Sequence, residues 1–351
     1  MKIVNKKQGG GILNFKYDIP DNVILGRGRV NEIGKIASKH GKKAFIITGK
    51  NSSKRSGLLG RVETYLKESN IEFVIFNKLI NNCDINEVEN AYEFARYEKC
   101  NIIIGIGGGS SLDFAKMVCW LSSKKEEFPL ILIPTTCGSG SEANKLIPII
   151  DLEKNSDNLY EFQKNMKIIS IIDSECMMTM SRVLLCITGS EVFFNNIIVC
   201  IASKDKYIKD RALYALKMTE KHLLLLYNGN DDPNSWDKIT FASLIAGMGN
   251  ESISFNKIYM MIYTIQKHKN IDYGKCMAAI IPSIIEEIRT NYKDEYLKIA
   301  RIFEDICGDS LTNYINQFMN NLNLNIKISA CNLEKEDIKC ITKKLVSYLN
   351  V

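Results

Sequence analysis

Several features that mark other classes of protein are missing from this sequence. It contains no run of about 18 apolar residues, the length that a membrane-spanning helix requires, and its basic, glycine-rich N-terminus lacks the apolar segment of a signal peptide. The 11 cysteines are scattered without a CxxC pair, so we expect reduced thiols rather than disulfides or a zinc knuckle. The net charge of +6 comes with no basic arm or stripe, which argues against a nucleic-acid partner. We therefore expect a cytoplasmic protein that binds a small molecule and neither a membrane nor a nucleic acid.

The first half of the chain alternates short β-branched apolar runs with amphipathic stretches. The chain has 351 residues, of which 46% are hydrophobic and 25% charged, so two domains are expected. Strands and helices in alternation predict a parallel sheet covered by helices, because continuous apolar strands need both faces buried. In such sheets ligands bind at the carboxyl ends of the strands. The predicted strands are AFIIT (44–48), EFVIF (72–76), NIIIGIG (101–107), LILIP (130–134) and IISIID (168–173).

The second half of the chain reads almost entirely as helix. From Ser181 onward, segment after segment carries apolar residues at helical spacing, whereas residues 155–166 are polar and are assigned no element. The sequence therefore predicts an α/β N-terminal domain with a parallel sheet over residues 1–178 and an all-α C-terminal domain over residues 179–351. The predicted helices are 209–227, 234–248, 254–268, 273–289, 295–306, 310–322 and 334–350.

A glycine-rich loop, NIIIGIGGGSSLDFAK (101–116), is the most informative stretch of the sequence. A buried strand runs into Gly107, Gly108 and Gly109, and Ser110 and Ser111 then open a helix. Glycines let the backbone approach an anion closely, and the helix N-terminus supplies free N–H donors and a favourable dipole. The pattern fits a pyrophosphate site, although glycine runs of this kind also make plain tight turns.

A second loop, PTTCGSGSEAN (134–144), directly follows the next strand. Its small and hydroxyl-bearing residues would line a cofactor site well, and a flexible surface loop is the alternative interpretation. Taken together, GGGSSLDFAK and IPTTCGSGSEA resemble the paired signature of the iron-containing alcohol dehydrogenases, which share their fold with dehydroquinate synthases and glycerol dehydrogenases. The segment ILGRGRVNEIG (24–34) is similar to the opening strand and turn of that family.

The resemblance implies a nicotinamide dinucleotide cofactor bound by the N-terminal domain. After the first strand, members that use NAD often carry an aspartate, but here the sequence is TGKNSSKRSG (48–57), with Gly49 at that place and Ser52, Lys54 and Arg55 nearby. Basic residues beside hydroxyls suit the 2′-phosphate of NADP, so NADP is expected ahead of NAD, while a solvated basic turn is the alternative. The other implied cofactor contacts are Gly107, Gly108, Gly109 and Ser110 at the pyrophosphate, Asp113 and Lys116 on the nicotinamide side, and Thr135, Thr136 and Ser139.

The metal ligands of that family are not matched in this sequence. The family holds a divalent metal through an aspartate, a histidine four residues later and two further histidines fourteen residues apart. By resemblance, Glu191 takes the place of the aspartate and Asn195 that of the first histidine. Tyr259 and Tyr273 take the places of the other two. Cys276 is a possible substitute ligand, with packing as the alternative, and no tight catalytic metal is expected. The sequence has only three histidines, His40, His222 and His268.

Without a metal, hydride transfer to a carbonyl needs another group to neutralise the developing oxyanion. The resemblance clusters Tyr259, Tyr263 and Tyr273 near the vacated metal position, opposite Glu191 and Asn195. A tyrosine becomes a useful acid when a lysine lies nearby. We therefore expect a metal-independent NAD(P)H-dependent reductase of a small carbonyl or imine, and a homodimer because dimers are common in this family. The alternative is a nucleotide-binding pseudoenzyme or regulatory partner in which these residues only fill the cavity.

Overall fold

The chain folds into two units whose segments alternate along the sequence. A computed structural model describes residues 22–50, 52–77, 85–123, 128–151, 156–161, 166–203, 205–249, 260–263, 265, 271, 273–303, 311–324 and 334–349. Unit 1 consists of Met1–Pro134, Glu142–Lys154 and Tyr160–Asp173, and unit 2 of Thr135–Ser141, Asn155–Leu159 and Ser174–Val351. The sequence predicted one boundary after residue 178, whereas the chain passes between the units at several points, the last of them between Asp173 and Ser174.

Unit 1 is built on a parallel sheet. The described strands of the whole chain are β1 (Asn22–Leu25), β2 (Lys43–Thr48), β3 (Glu72–Phe76), β4 (Ile102–Gly107), β5 (Leu130–Pro134), β6 (Leu146–Asp151), β7 (Ser156–Glu161) and β8 (Ile168–Ile172), and most of β7 belongs to unit 2. Six of them form the sheet in the order β1-β8-β5-β4-β2-β3, and all its neighbours run parallel. Every residue of β4 and β5 is buried, as in parallel strands packed on both faces. The five strands predicted from apolar runs are confirmed, and β6 and β7 lie outside the sheet.

In the described part of unit 1, five α-helices accompany the sheet. They are α1 (Ile33–Ala37), α2 (Ser52–Arg55), α3 (Leu58–Glu68), α4 (Ile85–Tyr97) and α5 (Gly109–Ser122). Helix α5 packs directly on β4, because a Cβ atom at Gly105 would lie 2.7 Å from the Cβ of Ala115. The glycine therefore fixes the distance between the sheet and the helix that follows the glycine-rich loop.

A buried carboxylate joins the end of β8 to the turn after β1. Asp173 is fully buried, and its two oxygens accept hydrogen bonds from the backbone N–H groups of Gly28 (3.0 Å) and Val30 (2.9 Å). Gly28 has a φ of 73°, a conformation that glycine adopts without strain. Two charge-assisted bonds to backbone donors thus hold the opening turn against the edge of the sheet.

Unit 2 is helical, as the sequence predicted. Its described helices are α6 (Arg182–Ala202), α7 (Lys206–Tyr227), α8 (Pro233–Gly249), α9 (Tyr273–Asn291), α10 (Lys293–Arg301), α11 (Leu311–Asn321) and α12 (Lys335–Leu349). Residues 260–263 and 265 are also helical, and the rest of the predicted helix 254–268 lies outside the described residues. The predicted combination of a parallel α/β domain and an all-α domain is therefore confirmed.

Helix α6 forms the centre of unit 2. Ser181 caps it by accepting a hydrogen bond from the N–H of Leu184 (3.3 Å), and residues 189–202 are all buried. By length and composition alone α6 is apolar enough to cross a membrane, but 83% of its most apolar window is buried within the protein. Burial of that kind is typical of a core helix, which needs apolar residues on all sides.

Candidate active site

The glycine-rich loop has the strand, loop and helix arrangement that an anion site requires. β4 ends at Gly107, Gly108 precedes the helix in an extended conformation, and α5 begins at Gly109. Gly107 has a φ of 152°, and a Cβ atom there would lie 2.6 Å from the Oγ of Ser111, so only glycine fits. Gly108 and Gly109 are half-buried and Ser110 is exposed, which leaves the positive end of α5 open to a ligand. Pyrophosphate binding by these residues stays a prediction.

The end of β2 lies beside this loop. A Cβ atom placed on Gly49 would be 3.4 Å from the Oγ of Ser52 and 3.6 Å from the Oγ of Ser111, so two hydroxyls face the open side of the glycine. Thr48 and Ser53 hydrogen-bond through their hydroxyls and hold the turn. The structure therefore brings Gly49 and Ser52 to the edge of the predicted phosphate site, with the exposed α2 cations next to them.

Lys116 and Asp113, which the resemblance assigns to the nicotinamide side, form a buried ion pair. Lys116 has no exposed surface, and its Nζ lies 2.9 Å from the Oδ1 of Asp113. The same ammonium donates to the backbone oxygen of Leu146 (2.7 Å) and to the Oδ1 of Asn144 (3.3 Å). In the structure it therefore ties α5 to residues 144–146, and a direct cofactor contact by either residue stays a prediction.

Next to this ion pair lies a buried carboxyl that was not among the predicted site residues. Glu142 is 2% exposed, and its Oε1 has no hydrogen-bond partner in the described part of the chain. Burial raises the pKa of Glu142 to about 7, with Asp113 acting in the same direction and Lys116 opposing it. The hydroxyl of Ser170 donates to the backbone oxygen of Glu142 (2.6 Å) and fixes its position. The carboxyl is therefore set to exchange a proton near neutral pH.

The loop Thr135–Ser141 packs on α6 and α8 within unit 2. The N–H of Gly138 donates to the Oγ of Ser243 on α8 (3.1 Å), and a Cβ atom on Gly138 would lie 2.8 Å from the Oε2 of Glu191 on α6. Gly140 has a φ of 60° and lies so close to Gly247 that a Cβ atom would meet the Cα of Gly247 at 2.4 Å. The loop is therefore packed and not a free surface segment.

Within this loop the three residues implied as cofactor contacts are the accessible ones. Thr135, Thr136 and Ser139 are half-exposed, whereas Cys137 and Gly138 are buried. The buried thiol of Cys137 lies 3.8 Å from the hydroxyl of Thr188 on α6. The hydroxyls of Thr135, Thr136 and Ser139 are therefore accessible to a ligand, and their contact with a cofactor stays a prediction.

Glu191 and Asn195 lie one turn apart on α6 and face the same side of the helix. Both are buried, with 9% of Glu191 and 1% of Asn195 exposed. Neither the Oδ1 nor the Nδ2 of Asn195 has a hydrogen-bond partner among the residues that the structure describes. By contrast, the neighbouring Asn196 donates to the backbone oxygens of Val192 (2.8 Å) and Ala242 (3.3 Å) and so ties α6 to α8.

The tyrosines of the predicted cluster are only partly described. Tyr263 is buried on the helical residues 260–263, Tyr273 is the first residue of α9, and Tyr259 lies outside the described residues. Helix α9 starts against α6, because a Cβ atom on Gly274 would lie 2.1 Å from the backbone oxygen of Ile187. This brings the start of α9 to the turn of α6 that precedes Glu191.

The described His, Cys, Asp and Glu side chains bear on whether these positions could hold a metal. Among the described residues, no three His, Cys, Asp or Glu side chains form a group that could hold a metal ion. His222 lies on α7 with its Nδ1 2.9 Å from the Oγ of Ser235, His40 lies in unit 1 just after α1, and His268 is outside the described residues. Cys276 on α9 is fully buried. A carboxylate and a neutral amide alone do not fit Fe²⁺ or Zn²⁺, which prefer nitrogen or sulfur ligands.

Comparison with known proteins identifies the family. Residues 20–174 match the model of the iron-containing alcohol dehydrogenases, and residues 201–348 match the C-terminal model of the same family. The chain is 26% identical to a choline dehydrogenase of Bacillus subtilis over 82% of this chain and 76% of the relative. It is 24% identical to NADH-dependent butanol dehydrogenase B of Clostridium acetobutylicum over 95% and 93%, and 23% identical to an NADPH-dependent butanol dehydrogenase of Clostridium saccharobutylicum over 93% and 89%. An alcohol dehydrogenase from Oenococcus oeni shares the fold with a TM-score of 0.84 at 21% identity, covering 95% of this chain and 94% of that one. The chain therefore belongs to the iron-containing alcohol dehydrogenase family of NAD(P)-dependent oxidoreductases.

Proposed function

We propose that the chain reduces a small carbonyl or imine compound with NADPH or NADH, and catalyses the reverse oxidation, without a catalytic metal. Family membership and the open glycine-rich loop at Gly107–Ser110 support the cofactor. The metal-free reaction is supported mainly by Asn195, because a neutral buried amide stands where the resemblance implies an imidazole ligand. An amide lacks the basic nitrogen that Zn²⁺ and Fe²⁺ favour, and Glu191 supplies one anionic ligand only.

The cofactor preference that we propose is NADP. No acidic residue stands at the end of β2, where it would repel a 2′-phosphate, and Gly49 leaves that place open. Lys54 and Arg55 are exposed on α2 beside the hydroxyl of Ser52, and both cations attract a phosphate dianion. Relatives are named both for NADPH and for NADH dependence, so the choice is a property of the individual chain.

The reaction needs a proton as well as a hydride. The bound nicotinamide cofactor supplies the hydride to the carbonyl carbon. We propose that a tyrosine hydroxyl, from Tyr273, Tyr259 or Tyr263, donates its proton to the oxygen on which negative charge develops and is then reprotonated from solvent. Tyr263 is buried, and an enclosed position strengthens such an interaction by excluding water.

The test of this proposal separates cofactor binding from turnover. The purified chain is titrated with NADPH and NADH, and cofactor oxidation is then followed with a panel of aldehydes, with and without a chelator. We expect binding with both cofactors and turnover that the chelator leaves unchanged. Loss of turnover on chelation would contradict the metal-free reaction. Binding without turnover over the whole panel would favour a nucleotide-binding partner of another enzyme.

Charge variants test the cofactor preference. Replacing Lys54 and Arg55 together by alanine should weaken NADPH binding about tenfold or more and leave NADH binding nearly unchanged, because only NADPH carries the 2′-phosphate. Replacing the exposed Lys35 and Lys39 by alanine removes the same charge elsewhere on unit 1 and serves as the control. Equal weakening of both cofactors in the first variant would contradict the assignment.

Localisation and assembly complete the proposal. We propose a cytoplasmic homodimer that acts on a small molecule and binds neither membrane nor nucleic acid. The scattered cysteines support a reducing compartment, since eight of the cysteines in the described part of the chain form no disulfide and seven of these are buried. Light scattering coupled to size-exclusion chromatography would determine the mass of the assembly, and a monomer at micromolar concentration would contradict the dimer.

A further inference from the structure

Among the described residues of unit 2, Asn195 is the buried polar side chain whose hydrogen-bonding capacity is left entirely unused. Its amide offers one acceptor, Oδ1, and a donor group, Nδ2, and neither finds a partner within the described part of the chain. Native proteins pair the great majority of buried side-chain polar atoms, because an unpaired one loses its water without compensation. A side chain in this state lowers the stability of the protein in the absence of a ligand.

The adjacent asparagine shows that the fold itself can use a buried amide at this level of α6. Asn196 donates through its Nδ2 to two backbone oxygens, one on α6 and one on α8. Because successive helical residues point about 100° apart, Asn195 points to another side of the helix, toward the face that carries Glu191. The structural role at this level is therefore filled by Asn196, and Asn195 has none that the described contacts explain.

The face that bears Asn195 is also the face on which the loop Thr135–Ser141 rests. Gly138 lies against the carboxylate of Glu191, one helical turn before Asn195, and Cys137 lies next to Thr188, two turns before it. The half-exposed hydroxyls of that loop are the predicted cofactor contacts in unit 2. A ligand that reaches the loop is thus within one or two helical turns of the unused amide.

We propose that the amide of Asn195 is a ligand-binding group that forms two hydrogen bonds with a neutral moiety carrying an acceptor and a donor side by side. This inference rests on the proposed function and specifies which residue recognises the ligand. A group that is already charged in the free ligand is disfavoured, because an enclosed neutral amide cannot repay the cost of removing an ion from water. A planar amide with both atoms free is complementary to a carboxamide, and equally to a carbonyl next to a hydroxyl.

Two ligands of the proposed reaction carry this chemistry. One is the carboxamide of the nicotinamide ring, and the other is the oxygen of the substrate that is reduced, together with a neighbouring hydroxyl. In the second case Nδ2 donates to the oxygen on which negative charge develops, so that Asn195 contributes to stabilising the transition state. Replacement of the carboxamide by a methyl ketone, as in the 3-acetylpyridine analogues of the cofactors, removes only the donor.

The first measurement separates a ligand-binding role from a structural one. Asn195→Leu and Asn195→Ala are compared with the wild type and with the matched control Asn196→Leu by thermal melting without ligand. We expect both variants of Asn195 to melt at or above the wild type, because they remove unpaired buried atoms, and Asn196→Leu to melt below it. Asn195 variants that melt as low as Asn196→Leu would assign the amide to the fold and overturn the inference.

The second measurement identifies the ligand. If the amide binds the cofactor, the wild type should bind NADP⁺ about threefold to tenfold more tightly than the 3-acetylpyridine analogue, and Asn195→Ala should abolish that difference. If it binds the substrate, the variant should keep the wild-type affinity for NADPH and lose about tenfold or more in kcat/KM for aldehyde reduction. A variant unchanged in both respects would overturn the inference. A wild type that binds neither NADPH nor NADH would instead overturn the proposed function.

Discussion

The buried carboxyl of Glu142 makes a prediction about the pH dependence of stability. Its pKa rises from the ordinary 4.5 to about 7, mainly because burial penalises the ionised form. Between these two pH values the unfolded chain releases the proton while the folded chain keeps it, so stability falls as the pH rises. A rise of this size corresponds to a loss of about 3 kcal/mol in the free energy of unfolding. The loss is absent below pH 4.5 and reaches its full size above pH 7.

Glu142→Gln removes this penalty, because glutamine stays neutral at every pH. At pH 8 we expect the variant to be more stable than the wild type by up to about 3 kcal/mol, or about 6 to 12 °C in the melting temperature of unit 1. At pH 4.5 the two proteins should melt together. The measurement is thermal melting without ligand at half-unit steps from pH 4.5 to 8, and the difference between the proteins isolates Glu142 from every other titrating group.

Two results would refute this reasoning about Glu142. A variant that melts with the wild type at pH 8 would mean that the carboxylate is ionised in the fold at no cost. A variant that melts lower than the wild type at every pH would mean that the ionised carboxylate is stabilised in the fold, with Lys116 as the cation that favours it. Glu68→Gln, an exposed residue at the end of α3, is the control and should change stability by less than about 0.5 kcal/mol at any pH.

Three other perturbations follow from the contacts described above. Asp173→Asn replaces one carboxylate oxygen, which accepts a hydrogen bond from the backbone of Gly28–Val30, by an amide donor. It should destabilise the protein by about 2 to 4 kcal/mol in denaturant titrations. A loss below about 0.5 kcal/mol would show that these hydrogen bonds contribute little. Gly140→Ala forces a methyl group into the backbone of Gly247 and should lower the free energy of unfolding by about 2 kcal/mol or more in denaturant titrations. A neutral effect would mean that the loop moves away freely. Lys116→Met leaves the buried carboxylate of Asp113 without its cation and should lower the free energy of unfolding by about 3 to 5 kcal/mol in denaturant titrations. A stabilised variant would contradict the ion pair.

The elements of the fold could be predicted from the sequence because their signals are local. The apolar runs of β4 and β5 need both faces buried, so their strand character follows from composition alone. The helices of unit 2 follow from spacing in the same way, and α9 begins at the predicted residue, Tyr273. The position of the glycine-rich loop is equally local, since a strand, Gly107 and a helix succeed one another directly.

The contacts around the candidate site could not be predicted, because they join residues distant in sequence. Nothing in the sequence pairs Lys116 with Leu146, or indicates that Glu142 becomes the buried carboxyl beside that pair. The polar segment that contains β7 has no apolar period to mark it as a strand. The sequence carries one local indication of these contacts, because Glu142 directly follows the small residues 138–141. Small residues allow close packing around a carboxyl.

The backbone contact between Gly140 and Gly247 has a consequence for chimeric proteins. Because each glycine occupies the space that a side chain of the other would need, no compensating pair of larger residues exists, and the two positions must be inherited together. Grafting a loop that carries a side chain at position 140, to change cofactor or substrate use, would fail if only the loop were exchanged. A functional transplant has to carry the matching turn of α8 with it, so the smallest exchangeable part is discontinuous in sequence.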